Sequence, residues 1–282
     1  MKTLTGRVAV VTGAAGGIGK GLAQVFAREG VTVMLADVEE ETLAKTVADL
    51  EADGARVAGH VTDVADAASV RALAEATVSA FGAAHIVCNN AGVSGMVNRS
   101  WTAPTSDWEW VFGVNVWGVI HGIQAFLPIL LEQEEGHVVN TGSAACFESL
   151  PGMAAYGASK HAVLAISEAL QREMLAMQAN VGVTVLIPGG TVNTRIMQSE
   201  RNWPAALGPV PEADPNPVSQ FIKAGFAHAM STGSDPRITA EPVIDAIKNN
   251  AFMVCDEPDL LRQWAQHPTQ LGEGVAPTWP PA

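Results

Sequence analysis

Tyrosine is almost missing from this chain, with one in 282 residues. Cysteine is scarce at three, and Cys88, Cys146 and Cys255 show neither a CxxC spacing nor an even count. That argues against a disulfide framework or a zinc site. Cys88 and Cys146 lie in apolar contexts and read as small buried hydrophobes. Charge is sparse at 16%, and positive charge sparser: 16 basic against 29 acidic residues leave a net charge of −13. Nucleic acids and anionic membranes both reward basic patches, so neither is an expected partner. Residues 1–7 lead straight into a strand-like run, without a charged-then-apolar signal segment. No apolar run approaches about 18 residues, so no membrane span is expected. A reducing, cytoplasmic setting fits these absences. What is abundant is apolar: 48% of residues, enough for a well-buried core.

The apolar residues fall into short runs at 8–11, 31–36, 55–60, 86–88, 137–140 and 181–187. Most are β-branched and continuous, as in strands buried on both faces. Between them lie helix-length patterns at 18–29, 40–52, 67–81, 107–132 and 154–180. Such alternation predicts an α/β fold, a parallel sheet with right-handed crossovers and helices on both faces, in a single domain. Ligands of such sheets bind beyond the C-terminal strand ends. Residues 195–238 break the pattern with Pro204, Pro209, Pro211, Pro215 and Pro217 and one short helix at 218–230. Their place after the sixth strand suits a lid, or a variable surface excursion. Residues 272–282, rich in Pro and Gly, read as a tail or an arm onto a neighbouring subunit.

After the first strand comes Gly13-Ala14-Ala15-Gly16-Gly17-Ile18-Gly19. Glycines admit a tight turn and a close approach to a pyrophosphate, and the helix that follows aims its amides at the phosphates. Asp37 ends the second strand, 18 residues beyond Gly19. A carboxylate there can accept from both adenosine ribose hydroxyls and repels a 2′-phosphate, which selects NAD over NADP. Neither the loop nor Val38 offers a base to offset that repulsion. An isolated aspartate would also serve as a helix N-cap.

The lone Tyr156 is followed four residues later by Lys160. On a helix the two share a face, with Cβ atoms about 5–6 Å apart. A lysine held there pulls a phenol down from roughly 10 toward working pH, as a general acid/base requires. The pair alone fits better as a half-buried tyrosine beside a solvated lysine.

With the other motifs in place, the chain resembles the short-chain dehydrogenase/reductase family from about residue 4 to residue 194. Gly13, Gly17 and Gly19 match its TGxxxGxG. Asp63-Val64 match the acidic position that meets adenine, and Asn89-Asn90-Ala91-Gly92 match its NNAG. Asn115, Ser143, Tyr156 and Lys160 match its catalytic tetrad, with Ser143 at the usual 13 residues before the tyrosine. The resemblance implies a Rossmann-type doubly wound sheet, with residues 1–150 mainly binding NAD and 151–282 carrying the catalytic helix, lid and tail. It implies that Ser143 donates to the substrate oxygen and Tyr156 exchanges its proton. Lys160 would hold the nicotinamide ribose, and Asn115 would fix a water leading from Lys160 to solvent. Asparagine is a poor helix-interior residue, so Asn115 has a task, whether that one or bonding to backbone. Ile18, Asn90, Ala91 and Gly92 would touch the dinucleotide. The turn Pro188-Gly189-Gly190-Thr191-Val192-Asn193-Thr194 is one residue longer than the family pattern, with the Val192 backbone expected at the carboxamide and Thr194 at a phosphate or the carboxamide.

The expected substrate pocket comprises Ser94, Met96, Ala145, Phe147, Met153, Gly190, Met197 and Trp203. Its apolar character fits a bulky hydrophobic or aromatic secondary alcohol or its ketone. Arg99 and Arg195 are the bases to test for an acidic substrate, and Glu148 could bind a polar substrate group but reads better as an exposed loop carboxylate. No metal is needed for this chemistry. Two other functions compete: a 3-oxoacyl thioester reductase, against which Asp37 argues, and a nucleotide-sensing binding protein, against which the intact Tyr156–Lys160 pair argues. The family analogy adds a homotetramer built partly from the Asn115 and Tyr156 helices.

Overall fold

The computed structural model of the chain describes residues 1–212 and 214–277. Seven parallel strands form one sheet: β1 Val8–Thr12, β2 Thr32–Asp37, β3 Val57–Val61, β4 Ile86–Asn89, β5 Gly136–Thr141, β6 Val181–Ile187 and β7 Met253–Cys255. Their spatial order is β3-β2-β1-β4-β5-β6-β7. The order reverses beside β1, where β2 lies on one side and β4 on the other. A crevice opens at such a switch point. Six strands fall where the apolar runs predict them. β7 escapes that reading because it is three residues long and only partly buried.

Alternation along each strand sorts the core into two layers. Ala9, Val11, Val33 and Leu35 point to the layer of Leu22, Phe26, Leu43 and Ile247. That layer is built on α1 Gly17–Arg28, α2 Glu40–Ala52 and a later helix, Pro236–Asn249. Val10, Met34 and Ala36 point to the opposite layer of Leu73, Phe126, Leu130 and Leu170. The second layer rests on α3 Ala67–Phe81, on the run from α4 Thr105–Phe112 to α5 Gly118–Leu131, and on α6 Ala154–Ala176. Beyond β6 come α7 Pro217–Ser231, α8 Pro236–Asn249, α9 Pro258–Trp264 and α10 His267–Gly272.

The helix expected at 107–132 is interrupted. Residues Gly113–Trp117 form a π-turn between α4 and α5, and Asn115 sits inside it. Such bulges often mark functional sites. The whole run Thr105–Leu131, with mean hydropathy 1.6 over its most apolar window, is long and apolar enough to cross a membrane. As a continuous apolar run it is broken by Gly, Asn and His residues, so only its average reaches that level. In the fold, Phe126 and Leu130 of this run are fully buried against the sheet layer, so it serves as a core helix.

Candidate active site

All the functional strand ends open into one cavity of about 1470 Å³. A single small-molecule pocket is about 300–1,000 Å³, so this one has room for two ligands side by side. Its floor starts at the turn after β1. Gly13, Gly16, Gly17 and Ile18 line it. The N-terminus of α1 has no side-chain cap and no acidic residue in its first turn. Its amides therefore keep their donor capacity for an anion. Gly19 does not reach the cavity: a Cβ there would overlap the Gly13 carbonyl and lie 2.7 Å from Asn90 Nδ2. It permits close packing, and its expected contact with the cofactor is corrected accordingly.

Asp37 closes this end of the floor. Its Oδ2 accepts from Ala15 N at 2.9 Å and its Oδ1 from Glu39 N at 3.0 Å, so it ties the glycine loop to the end of β2. Burial pushes its carboxyl above the usual range against those backbone bonds. Asp63, Val64, Asn90, Ala91 and Gly92 continue the wall. Asn90 Nδ2 donates to Thr12 O at 2.9 Å, and its Oδ1 accepts from Thr141 Oγ1 at 3.1 Å, which locks β1, β4 and β5 together at their tips.

Ser143, Tyr156 and Lys160 meet at the far end of the floor. Lys160 is 4% exposed, donates from Nζ to Thr141 O at 2.8 Å, and stands 5.8 Å from the Tyr156 ring centroid. Burial lowers the ammonium to about 8. Burial also pushes the Tyr156 phenol up to about 12, opposed by its hydrogen bond with Ser143. The expectation that Lys160 pulls the phenol down is therefore corrected. Both groups are desolvated together, and desolvation outweighs an ammonium that faces the ring and bonds to a carbonyl.

Asn115 stays behind the cavity wall. Its Oδ1 accepts from Val93 N at 2.9 Å, while Nδ2 donates to Val93 O at 3.0 Å and to Ser159 Oγ at 2.9 Å. The amide braces the segment after β4 against α6: both its donors are taken and its oxygen already accepts one bond.

The roof comes from later chain. Ser94 Oγ donates to Ile196 O at 2.9 Å and Ser94 N to Ser199 Oγ at 3.2 Å, joining wall to lid. Trp203 stacks edge-on against Trp110, with centroids 5.0 Å apart. Ala145, Met153, Gly190, Met197 and Trp203 line the cavity. Met96 and Phe147 do not. Met96 belongs to a loop pinned by its own N–H to Asp107 Oδ1 at 2.9 Å. Phe147 packs into the core with Val185, Ile187 and Cys255. Trp110, Leu150, Phe226, Met230, Trp264 and His267 line the cavity without any local signal in sequence, and Glu148 lines it too. The segment expected to be a tail or an arm lies over this chain's own cleft as far as Pro277, and residues 278–282 lie outside the described residues.

The long turn after β6 bends at Gly190, where φ is +43° and a Cβ would meet Glu257 Oε1 at 2.5 Å. Pro188, Val192 and Thr194 line the cavity, whereas Gly189 turns away. Its N–H donates to Asp256 Oδ1 at 2.6 Å, which corrects its expected contact with the cofactor. Arg99 is outside the cleft, in a bidentate pair with Asp214 at 2.8 and 3.2 Å. Arg195 is inside it and reaches back to Glu39 at 2.9 Å.

This geometry agrees with comparison to known proteins. The model of the short chain dehydrogenase family matches residues 7–205. The chain belongs to that family. A short chain dehydrogenase/reductase from Burkholderia phymatum, solved in complex with NAD, superposes with a TM-score of 0.93 at 39% identity over 100% of both chains. The 1-deoxy-11-beta-hydroxypentalenate dehydrogenase of Streptomyces exfoliatus is 41% identical over 194 residues, 68% of this chain and 70% of its own. The CLA biosynthesis dehydrogenase/reductase of Lactiplantibacillus plantarum is 30% identical over 92% of this chain and 91% of its own. The protein is thus an oxidoreductase of this family, and its strand-tip residues suit a nicotinamide dinucleotide: an uncapped helix N-terminus for phosphates and a half-buried carboxylate for a ribose.

Proposed function

We propose that the protein interconverts a bulky hydrophobic or aromatic secondary alcohol and its ketone with NAD as coenzyme. The observation that carries this reading is the convergence of Ser143, Tyr156 and buried Lys160 at one end of a cavity whose other end is closed by Asp37. NAD, when bound, supplies hydride chemistry. Gly13, Gly17, Ile18, Asp37, Asp63, Val64, Asn90, Ala91, Gly92, Pro188, Val192 and Thr194 hold it, with Lys160 at the nicotinamide ribose. Tyr156, its phenol held neutral by burial, gives a proton to the carbonyl oxygen in reduction; in oxidation its deprotonated form takes the proton from the hydroxyl. Ser143 donates a hydrogen bond to the same oxygen as negative charge develops on it. Asn115 acts as a positioning residue through Val93 and Ser159.

Trp110, Trp203, Met153 and Met197 give the substrate end an apolar surface that favours a large ring or chain. The Streptomyces relative is named for dehydrogenating a hydroxy compound, which supports alcohol oxidation as the chemistry. A 3-oxoacyl thioester reductase would need cations for its phosphates, and Arg99 and Arg195 are already paired with Asp214 and Glu39. A sensing protein would not need the intact catalytic group. We place the protein in the cytoplasm as a homotetramer associating through the α4–α5 run and α6, where Trp117 of the π-turn, 53% exposed, offers an apolar contact.

The test is an absorbance screen at the reduced-nicotinamide band, using secondary alcohols graded by size and supplied with NAD or NADP. Turnover that climbs with apolar bulk and prefers NAD supports the proposal. Strong preference for NADP, or for thioester substrates, would defeat it.

A further inference from the structure

The corner that holds Asp37 also holds two arginines. Arg195 Nη2 bonds to Glu39 Oε2 at 2.9 Å, and Arg201 Nε to Glu39 Oε1 at 2.8 Å. Asn202 Nδ2 donates to the same Oε1 at 3.0 Å. Arg201 also donates to Arg195 O and Gln198 O, so the lid turn Ile196–Asn202 delivers both guanidiniums as one piece. Arg195 Nη2 lies 3.9 Å from the Cβ position of Gly16, one residue past Ala15, the amide partner of Asp37. Asp37, Glu39, Arg195 and Arg201 all line the same cavity. The glycine loop and Val38 supply no base here, as the sequence shows; the two bases near Asp37 come from 158 and 164 residues further along the chain.

Two guanidiniums beside a ribose site are good ligands for a phosphate, since arginine binds it in a bidentate way. A single carboxylate at Asp37 would face both of them. Glu39 supplies the second carboxylate that balances the pair, and it holds Arg195 through Nη2 and Arg201 through Nε. We propose that Glu39 is a coenzyme-specificity residue: by holding Arg195 and Arg201 it denies them to a 2′-phosphate and lets Asp37 set the choice of NAD. The inference rests on the dinucleotide reading above and adds the residues that decide between its two forms.

The test reads binding rather than turnover. Dissociation constants for NADH and NADPH are measured by nucleotide fluorescence on the wild-type protein, Glu39→Gln and the triple variant Glu39→Gln/Arg195→Met/Arg201→Met. The amide keeps the side chain's shape and its acceptor for Asn202. Glu39→Gln is expected to lower the NADPH-to-NADH ratio of dissociation constants by about tenfold, as one unbalanced charge at a few ångströms does at a protein surface. The gain should fade at high salt and vanish in the triple variant. A ratio that stays at the wild-type value in Glu39→Gln overturns the inference. Should that variant not fold, Arg195→Met/Arg201→Met alone serves: it leaves both acids unbalanced and should raise the ratio, and no rise overturns the inference. If the wild-type protein binds NADH and the ratio does not move, only this inference fails. If it binds neither nucleotide, the coenzyme reading fails with it.

Discussion

The floor and the roof of the cleft are built from different stretches of chain. The floor is made of strand tips and the starts of the helices that follow them: Gly13–Ile18, Asp37, Asn90–Gly92, Ser143, Tyr156 and Lys160. Its polar groups are tied to backbone within the sheet, as when Asn90 bonds to Thr12 or Lys160 to Thr141. The roof is made of the lid turn, α7 and the C-terminal helices, and beside the Ser94 bonds it is held by pairs of side chains: Trp203 on Trp110, Arg195 and Arg201 on Glu39. A floor held by backbone bonds keeps reacting groups in place. A roof held by side chains can change what it accepts without disturbing the sheet. The chemistry should therefore fail when the floor is altered, and the selectivity when the roof is.

The largest expected effect is on the floor. Tyr156→Phe should lower kcat by about 10²–10⁴-fold, the usual worth of a general acid/base, with unchanged melting temperature and nucleotide affinity. Steady-state kinetics on the best alcohol from the screen, with fluorescence titration of NADH, checks it. A variant with wild-type kcat would remove Tyr156 from the chemistry. The wild-type pH profile belongs with this test. A phenol raised to about 12 is protonated through the neutral range, so kcat/KM for oxidation should climb about tenfold per pH unit from pH 6 to 8. For reduction it should stay flat there. A flat oxidation profile would show that the phenol in use is not the raised one.

Next comes the brace behind the floor. Asn115→Ala leaves the Val93 amide and carbonyl and the Ser159 hydroxyl without their partner, at a cost of about 3 kcal/mol in stability. Denaturant unfolding measures the loss, and kcat should fall while the pH dependence keeps its shape. If kcat fell with no loss of stability, Asn115 would act directly in the reaction instead.

A roof change should look different. Trp203→Ala removes the partner of Trp110, and KM for bulky alcohols should rise about tenfold, within the range for a buried aromatic contact. Turnover of small alcohols and affinity for NADH should hold. Equal losses for small and large substrates would merge floor and roof into one unit.

The smallest effect is where α4 pins the loop after β4. Asp107, 1% exposed, accepts from Met96 N, and burial pushes its carboxyl up to about 6. Its folded value lies above the unfolded one, so the native state holds its proton more tightly and stability falls as pH rises from about 4 to 6. Asp107→Asn keeps an acceptor and removes the charge. It should raise the melting temperature by a few degrees at pH 8 and by less at pH 5, as thermal melts at both pH values would show.

The floor was legible in sequence because each of its parts is local. Gly13–Gly19, Asp37 and the Tyr156–Lys160 pair are each read from a strand, a turn or one helical repeat, and periodicity of 2 or 3.6 places their side chains. Even there, local reading missed what neighbours do to a group. It expected Lys160 to lower the phenol, and burial of both raised it. It placed Phe147 and Met96 on the pocket wall because they follow strands, and the core and the Asp107 bond claimed that stretch of chain instead. Roof residues such as Trp110, Trp264 and His267 share no motif or spacing with the floor, so no sequence window joins them to it.

By itself, the sequence determined the parallel sheet, the strand after which each ligand-facing turn falls, and the residue types available for proton transfer and ribose binding. These follow from hydrophobic periodicity and from glycine, proline and carboxylate chemistry, which act over a few residues. The tertiary structure decided which side chains share one cavity, how far burial moves their proton affinities, and whether Arg195 and Arg201 meet a phosphate or Glu39. Those outcomes depend on dielectric surroundings and on contacts between residues more than 100 positions apart, which exist only once the sheet has brought its strand tips and the lid together.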